Sequence, residues 1–490
     1  MEGYFPAFQV RSGSGGVVRQ IDSVPRMVDS PAEAVRLSLR SASECLSSLE
    51  GAGLNPVLRA FKLDESSQSQ IRRLMVHLVA GPLEGREQWL EEWRAGRSFL
   101  DTLSCVFLEA LRSRAPAGGL TKNAVNAELL ARLVRAGANL IKWDYLRYGP
   151  VERELWAFMG AAYLEAERTG MSQMLVSLRK DRGTQTSVER EYLRALALGC
   201  ASLDQLAPDS MEIADRLIRY MLPTLRISHT PGSGACFGLQ IGAPAAPVRI
   251  ASGAASEQFS HYFLPAGAGS VCDELTSVIE RGLVPAAIAS GARARERVLA
   301  TLFHLRRLWS DRPPMRRHRR HELSARLSAV RGLKEVSARL ESGAPPSIDD
   351  CEWELRNVSR GGIGLTVPSE QCESLQVGEL VGFLMEGGSG WHVGVVRRIA
   401  QTVDGVGFVG VELIGREPSV VLADDGRAAN EVLLCDPVRQ GRTVRLAGPS
   451  AALPVDTVVY LNLDGRIVKL KPIALLVRGN EFVLRNYQLL

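Results

Sequence analysis

The chain has 490 residues, more than one hydrophobic core usually holds, so about two or three domains are expected. It is 46% hydrophobic and 23% charged, as in folded soluble proteins, and its net charge of +5 does not by itself indicate a nucleic-acid partner. The eight cysteines are scattered, with no CxxC pair, which argues against a disulfide framework or a zinc site. No signal peptide is evident, and no run approaches the ~18 apolar residues of a membrane span. We therefore expect a cytoplasmic protein.

The positive charge is concentrated in one segment. Between Arg293 and Leu340 there are 14 Lys or Arg residues against 4 Asp or Glu residues. Such a cluster indicates an anionic partner better than the net charge of the whole chain does.

Residues 1–29 are rich in Gly and Ser and are expected to form a flexible tail. Helix signals begin at Ser30-Pro31-Ala32-Glu33, which is typical of an N-cap followed by a first-turn proline and a capping-box glutamate. Apolar residues then recur at helical spacing in several stretches separated by short breaks. The predicted helices begin near residue 31 and continue at about 67–80, 84–113, 122–146, 151–168, 187–204 and 210–226.

The segment 228–270 is dominated by Gly, Ala, Pro and Ser, and we interpret it as a connector with one short strand from Cys236 to Ile241. Helices are predicted again at about 271–284 and 292–309. Pro313 and Pro314 then prevent a helix from continuing. Residues 30–310 are therefore predicted to form a mainly helical domain.

From His321 onward the pattern favours β-structure. Strands are predicted at 322–333, 351–358, 362–367, 379–385, 391–400 and 407–414, and most are separated by Gly, Pro or Asp-Gly turns. Six short strands in this length predict a small antiparallel barrel over 311–420. A hairpin around Asp464-Gly465 indicates further strands in a small C-terminal β-rich extension, 421–490. The expected fold class is multidomain α+β.

Two motifs flank the first predicted strands. The basic cluster from Met315 to His321 contains an RxxxR pair, Arg316 and Arg320; Arg312 and Arg316 have the same spacing but lie farther from the strand. The sequence Asn357-Val358-Ser359-Arg360-Gly361-Gly362 supplies an NxSxxG at the turn between two strands. Each motif alone is commonplace, since an arginine run is usually a solvated surface and the second motif could be a plain turn.

Together these motifs closely resemble the two signatures of the PilZ domain, and the segments WHVGVVRRI (391–399) and VGVELIG (409–415) resemble its closing strands. The resemblance covers about residues 311–420 and implies a PilZ-type six-stranded barrel that binds cyclic di-GMP. The ligand-binding residues implied are Arg316, Arg317, Arg320, Asn357, Ser359, Gly361 and Gly362.

This ligand suits the residue types. Cyclic di-GMP carries two phosphates and two guanines, and an arginine can pair with guanine O6 and N7, bind phosphate oxygens or stack on a purine. Asn357 and Ser359 are short polar groups suited to the remaining guanine edge, and Gly362 permits close approach.

The sequence contains no P-loop and no recognisable arrangement of nucleophile and base, so we expect a receptor with no cofactor, metal or enzymatic activity. A metal site at His318, His321 and Glu322 is disfavoured by the arginines around it. The helical domain is expected to pass the signal to a protein partner. Two alternatives stay open. One is a PilZ scaffold that binds no nucleotide. The other, less favoured, is a nucleic-acid-binding protein, because single-strand binders need aromatic residues for base stacking and these are scarce in the basic segment.

Overall fold

The computed structural model describes residues 30–47, 54–80, 85–112, 120–178, 185–250, 256–291, 293–312, 318–347, 350–388, 390–463 and 465–490. The expected tail, 1–29, lies outside them. The chain divides into two compact units. The helical unit comprises Met1–Arg147, Val151–Leu203 and Pro208–Pro314, and the barrel unit comprises Tyr148–Pro150, Asp204–Ala207 and Met315–Leu490. Within the described ranges, no helix is both long enough and apolar enough to cross a bilayer.

The helical unit is built mainly from helices that the sequence predicts. They are α1 (Pro31–Ser47), α2 (Leu54–Ala80), α3 (Arg86–Arg112), α4 (Leu120–Tyr145), α5 (Arg153–Arg168), α6 (Val188–Gly199), α7 (Pro208–Met221), α8 (Ala268–Glu280) and α9 (Ala294–Leu308). The predicted start of α2 at residue 67 is wrong, because the helix begins at Leu54. The hydroxyls of Ser66 and Ser67 donate to the carbonyls of Leu63 and Asp64, at 3.0 and 3.1 Å, so this polar run continues the helix.

The core of the helical unit is organised around Trp143 of α4, which is fully buried. Its indole Nε1 donates to the carbonyl of Trp93, and Trp93 Nε1 donates to the carbonyl of Trp143, both at 2.9 Å. A side chain at Gly96 would place its Cβ 2.1 Å from the Trp143 ring, so this glycine permits α3 and α4 to pack closely.

The predicted connector, 228–270, is more regular than expected. The short pair β1 (Val176–Ser177) and β2 (Gln185–Thr186) precedes a four-stranded sheet of order β3-β6-β4-β5. Its strands are β3 (Arg226–Ser228), β4 (Cys236–Leu239), β5 (Val248–Ile250) and β6 (His261–Leu264). A Cβ at Gly160 of α5 would lie 2.5 Å from the Gly242 amide nitrogen, so helix α5 packs directly against the loop that follows β4.

The first barrel contains the six strands that the sequence predicts. It comprises β7 (His321–Arg331), α10 (Leu333–Ser342), β8 (Cys351–Ser359), β9 (Gly362–Val367), α11 (Ser369–Ser374), β10 (Leu380–Met385), β11 (His392–Gln401) and β12 (Gly407–Gly415). The strands close antiparallel in the order β10-β11-β12-β9-β8-β7. Helix α10 was not predicted. The strand expected over 322–333 ends at Arg331 because Gly332 adopts a φ of +82° and begins the turn into this helix.

The C-terminal region is a second closed barrel, whereas the sequence indicated only a small β-rich extension. Its strands are β13 (Ser419–Asp424), β14 (Ala429–Leu434), β15 (Thr443–Gly448), β16 (Val459–Leu463), β17 (Arg466–Arg478) and β18 (Val483–Leu489). Strands β16 and β17 form the predicted hairpin, although Asp464 of its turn lies outside the described residues. Val330 and Val395 of the first barrel share a buried cluster with Val477 and Phe482 of the second. The two barrels are therefore joined by a common core.

Candidate functional site

A pocket of about 490 Å³ opens on the first barrel, within the barrel unit. Five of the seven predicted binding residues line it: Arg320, Asn357, Ser359, Gly361 and Gly362. The other two, Arg316 and Arg317, lie outside the described residues. The lining also contains residues that sequence reasoning missed, namely Gln205, Arg356, Gly364, Arg397, Arg398, Phe408 and Glu412. We call this the first-barrel pocket.

Strand pairing brings the two motifs together. The start of β7 runs antiparallel to the end of β8, with His321 opposite Val358 and Glu322 opposite Asn357. The basic cluster immediately precedes β7, so its described end lies beside the second motif. A Cβ on Gly361 would indeed be 3.5 Å from His318 Cδ2. Two segments about forty positions apart in the chain therefore meet on one face of the barrel.

The β8–β9 turn is held by hydrogen bonds of the second motif. Ser359 Oγ donates to the carbonyl of Gly362 at 3.0 Å, and the Leu413 amide donates to the carbonyl of Gly361 at 3.0 Å. A Cβ at Gly362 would lie 2.4 Å from the Val411 carbonyl oxygen, which is backbone and cannot rotate away. Glycine is therefore required at this position by close approach of β12, and Ser359 shapes the turn as well as lining the pocket.

Asn357 presents an unsatisfied acceptor to the pocket. Its Oδ1 is buried and has no hydrogen-bond partner among the described residues. The side chain occupies the space opposite Gly364, where an added Cβ would lie 2.7 Å from Oδ1. A buried acceptor without a donor costs about 1–3 kcal/mol, so this position favours a ligand that donates a hydrogen bond.

Two of the unpredicted arginines occupy β-bulges. Leu355 and Asn357 of β8 pair with consecutive residues of β9, which leaves Arg356 as the extra residue. On β11, Val396 and Arg398 pair with consecutive residues of β12, which leaves Arg397 as the extra residue. A bulge redirects side chains relative to the regular alternation of a strand. This is how both arginines come to line a pocket that strict alternation would not assign to them.

The electrostatics of the pocket are positive, because its lining contains four arginines and one carboxylate. Arg397 Nε donates to Glu412 Oε2 at 2.6 Å, and Arg398 Nε pairs with Asp204. Arg356 has no ion pair with any described residue, and its guanidinium lies 4.2 Å from the centre of the Phe408 ring. The arrangement combines guanidinium groups, an aromatic face and a free amide acceptor, which suits an anionic ligand with a planar base.

Comparisons with known proteins find two family models that match this chain. Residues 27–232 match the family model of the cyclic-di-GMP receptor FimW, N-terminal domain. Residues 312–419 match the model of the middle PilZ domain of the same receptor, and this range contains both motifs and most of the pocket lining. A search of curated proteins gives no match.

Proposed function

We propose that this chain, which belongs to the FimW family of cyclic-di-GMP receptors and contains its PilZ domain, binds cyclic di-GMP in the first-barrel pocket. The observation that carries the proposal is the buried Oδ1 of Asn357, which lies among four arginines and has no hydrogen-bond partner in the described part of the chain. Neither phosphate alone nor a hydrophobic ligand would satisfy both features. Guanine supplies N–H donors to the amide oxygen, and the phosphates supply negative charge to the arginines.

Each part of the ligand has a chemical counterpart among the pocket residues and the basic cluster. The Hoogsteen edge of guanine, O6 and N7, accepts a bidentate pair of hydrogen bonds from an arginine, and we assign this role to the arginines of the RxxxR motif, Arg316 and Arg320. We assign a phosphate to Arg317, the neighbouring arginine of the basic cluster. Phe408 and the guanidinium above it offer a stacking surface to the second purine.

The ion pairs already present in the pocket do not oppose ligand binding strongly. The side chains of Arg397 and Glu412 are 42% and 50% exposed. An ion pair at this exposure is worth about 0–1 kcal/mol. A doubly charged ligand can therefore draw Arg397 away from Glu412 at small cost, and it gains a charge-assisted hydrogen bond in return.

A calorimetric titration with cyclic di-GMP tests the proposal. The wild-type protein is expected to bind, and the double variant Arg316→Ala, Arg320→Ala is expected to bind roughly two to four orders of magnitude more weakly, because each arginine–guanine pair contributes about 1–3 kcal/mol. The control variant is Arg416→Ala, on the loop that follows β12. Its affinity for cyclic di-GMP should equal that of the wild type.

Three results would contradict the proposal. Equal binding by the double variant and the wild type would show that the motif is not the site. Absence of cyclic di-GMP binding by folded wild-type protein would favour a scaffold that does not use the nucleotide. Tight binding of duplex DNA with a steep salt dependence, log K falling by about 0.9 per phosphate contact, would instead indicate a nucleic-acid-binding protein.

We further propose that binding is passed to the helical unit and from there to a protein partner. The segment 311–321 connects α9 to β7 and contains the RxxxR motif, whose arginines repel one another until a ligand neutralises them. A ligand bound by this segment can shift the conformation of the protein only to the extent that the protein's conformations bind the ligand with different affinities. Small-angle scattering should change on adding cyclic di-GMP to the wild type but not to the double variant. An unchanged profile with saturated ligand would mean that binding alters a surface without moving the units.

A further inference from the structure

A cluster of two histidines and one glutamate lies in the helical unit, outside the lining of the first-barrel pocket. It consists of Glu167 near the C-terminal end of α5, His229 just after β3, and His261 at the start of β6. One ligand atom from each residue lies within 4.8 Å of the others. The cluster therefore joins one helix to two strands of the four-stranded sheet.

The distances within the cluster approach those of a metal centre. His261 Nε2 lies 3.5 Å from Glu167 Oε2, and His229 Nε2 lies 3.9 Å from Glu167 Oε1. Ligand atoms about 2.0–2.2 Å from a tetrahedral zinc ion are separated from one another by about 3.3–3.5 Å. Small side-chain rotations would therefore allow the three groups to bind one ion. The His229 side chain is free to rotate because it is 72% exposed.

His261 shows the bonding pattern expected of a metal ligand. Its side chain is 7% exposed, and its Nε2 has no hydrogen-bond partner among the described residues although it lies 3.5 Å from Glu167 Oε2. Its other nitrogen, Nδ1, is 3.0 Å from Ser260 Oγ. A metal-bound histidine characteristically uses its second nitrogen for such a hydrogen bond, which orients the ring.

One further contact positions the cluster. The Tyr163 hydroxyl donates to Glu167 Oε1 at 3.2 Å, which leaves Oε2 directed to His261.

We propose that Glu167, His229 and His261 form a binding site for a divalent transition metal ion of the zinc class. Two imidazole nitrogens and one carboxylate favour such an ion over Mg²⁺ or Ca²⁺, which prefer oxygen ligands. Three protein ligands leave one coordination position for water. Because the ligands come from α5, the residues after β3, and β6, the ion would fasten the sheet to the helix that packs against it.

The test uses full-length protein without a histidine tag, stripped with a chelator and then titrated with Zn²⁺ in competition with a chromophoric chelator. One equivalent is expected to bind. Ser260→Ala should weaken the affinity about 10- to 100-fold, as for other residues that orient a metal-bound histidine, and His229→Ala should weaken it at least as much. Because His229 is largely exposed, its substitution leaves the core unchanged, which circular dichroism checks.

His77→Ala is the matched control. His77 is half-exposed and lies 3.1 Å from Glu92 Oε2, so it is a histidine–carboxylate pair without a second imidazole. Its loss should leave the Zn²⁺ affinity unchanged. Replacement by Co²⁺ should give the visible absorption of a four-coordinate ion in the wild type and not in His229→Ala. Absence of a bound equivalent, wild-type affinity in His229→Ala, or loss of the equivalent in His77→Ala would each overturn the proposal.

Discussion

The protein contains two cavities of similar volume that are both rich in arginine, yet their charges are arranged differently. The helical cavity, about 460 Å³, is lined by residues of α2, α3, α4 and α7, including Arg132, Arg135 and Lys142. Each of these cations faces a carboxylate. Lys142 Nζ is 2.9 Å from both Glu212 and Asp215, and Arg132 and Arg135 share Asp64. The first-barrel pocket contains one carboxylate among four arginines.

The number of arginines around a cavity therefore does not by itself make the cavity an anion-binding site. In the helical cavity, carboxylates of the protein itself neutralise the cations, and these buried ion pairs join the helices. In the first-barrel pocket Arg356 has no acidic partner in the described chain and Asn357 Oδ1 has no donor. Among the described residues, the first-barrel pocket therefore leaves interactions for a ligand to supply.

The largest expected effect is on the helical unit. Arg194, Lys142 and Arg219 converge on Asp215, which is 2% exposed. Asp215→Asn should lower the free energy of unfolding by about 3–5 kcal/mol at pH 7, because it leaves buried cations without their partner. Denaturant titration measures this. The control Asp273→Asn removes an exposed pair with Arg306 and should change the free energy of unfolding much less, because solvent screens that pair. Equal effects would show that burial does not govern these pairs.

The contribution of Asp215 to the free energy of unfolding should depend on pH. Burial alone would raise the pKa of Asp215, but Arg194, Arg219 and Lys142 hold it well below its usual range. The stability from this carboxylate is therefore present above pH about 4, its value in the unfolded chain, and is lost as the pH falls towards the folded pKa. The gap in stability between wild type and Asp215→Asn should narrow on acidification below pH 4. A gap that stays constant would contradict the pairing.

A smaller effect, on ligand affinity, distinguishes the roles of the two cavities directly. Arg356→Ala should weaken cyclic di-GMP binding by about 1–3 kcal/mol, or roughly 5- to 150-fold, because it removes a pocket guanidinium that no described acid neutralises. The matched control is Arg216→Ala, since Arg216 lines the helical cavity and lies 3.0 Å from Glu212. Its ligand affinity should match that of the wild type in the same calorimetric titration. A loss in Arg216→Ala and none in Arg356→Ala would reverse the assignment of the cavities.

The smallest effect concerns the one pocket carboxylate. Glu412→Gln removes the competitor for Arg397 and should tighten cyclic di-GMP binding by up to about 1 kcal/mol, or roughly fivefold. The gain should shrink as salt is added, because both side chains are about half exposed. Titrations at two salt concentrations measure it. Weaker binding in this variant would mean that Glu412 accepts hydrogen bonds from the ligand.

Local patterns were sufficient to predict the first barrel. Alternating apolar residues place β9 over 362–367 in both sequence and structure. The second barrel was underestimated because its stability depends on distant residues: Phe482 completes a core with Val330, and no local pattern records that pairing. Helix α10 was missed because Leu333 continues the apolar alternation of β7, whereas the positive φ of Gly332 interrupts it.

The candidate site was predictable only where a motif marks it. Arg320, Asn357 and Ser359 belong to motifs with recognisable spacing and all line the pocket. Arg356 and Arg397 were missed because their orientation depends on bulges, which are visible only once strands are paired. The Glu167 cluster was missed because its three ligands are far apart in sequence and carry no spacing signature.

Amide hydrogen exchange with and without cyclic di-GMP distinguishes ligand binding in the first-barrel pocket from ligand binding in the helical cavity. Slower exchange is predicted at 318–321 and around the β8–β9 turn, 357–364, with little change in the cavity-lining parts of α2, α4 and α7. Protection concentrated in those helices, with exchange in the barrel unchanged, would contradict the account.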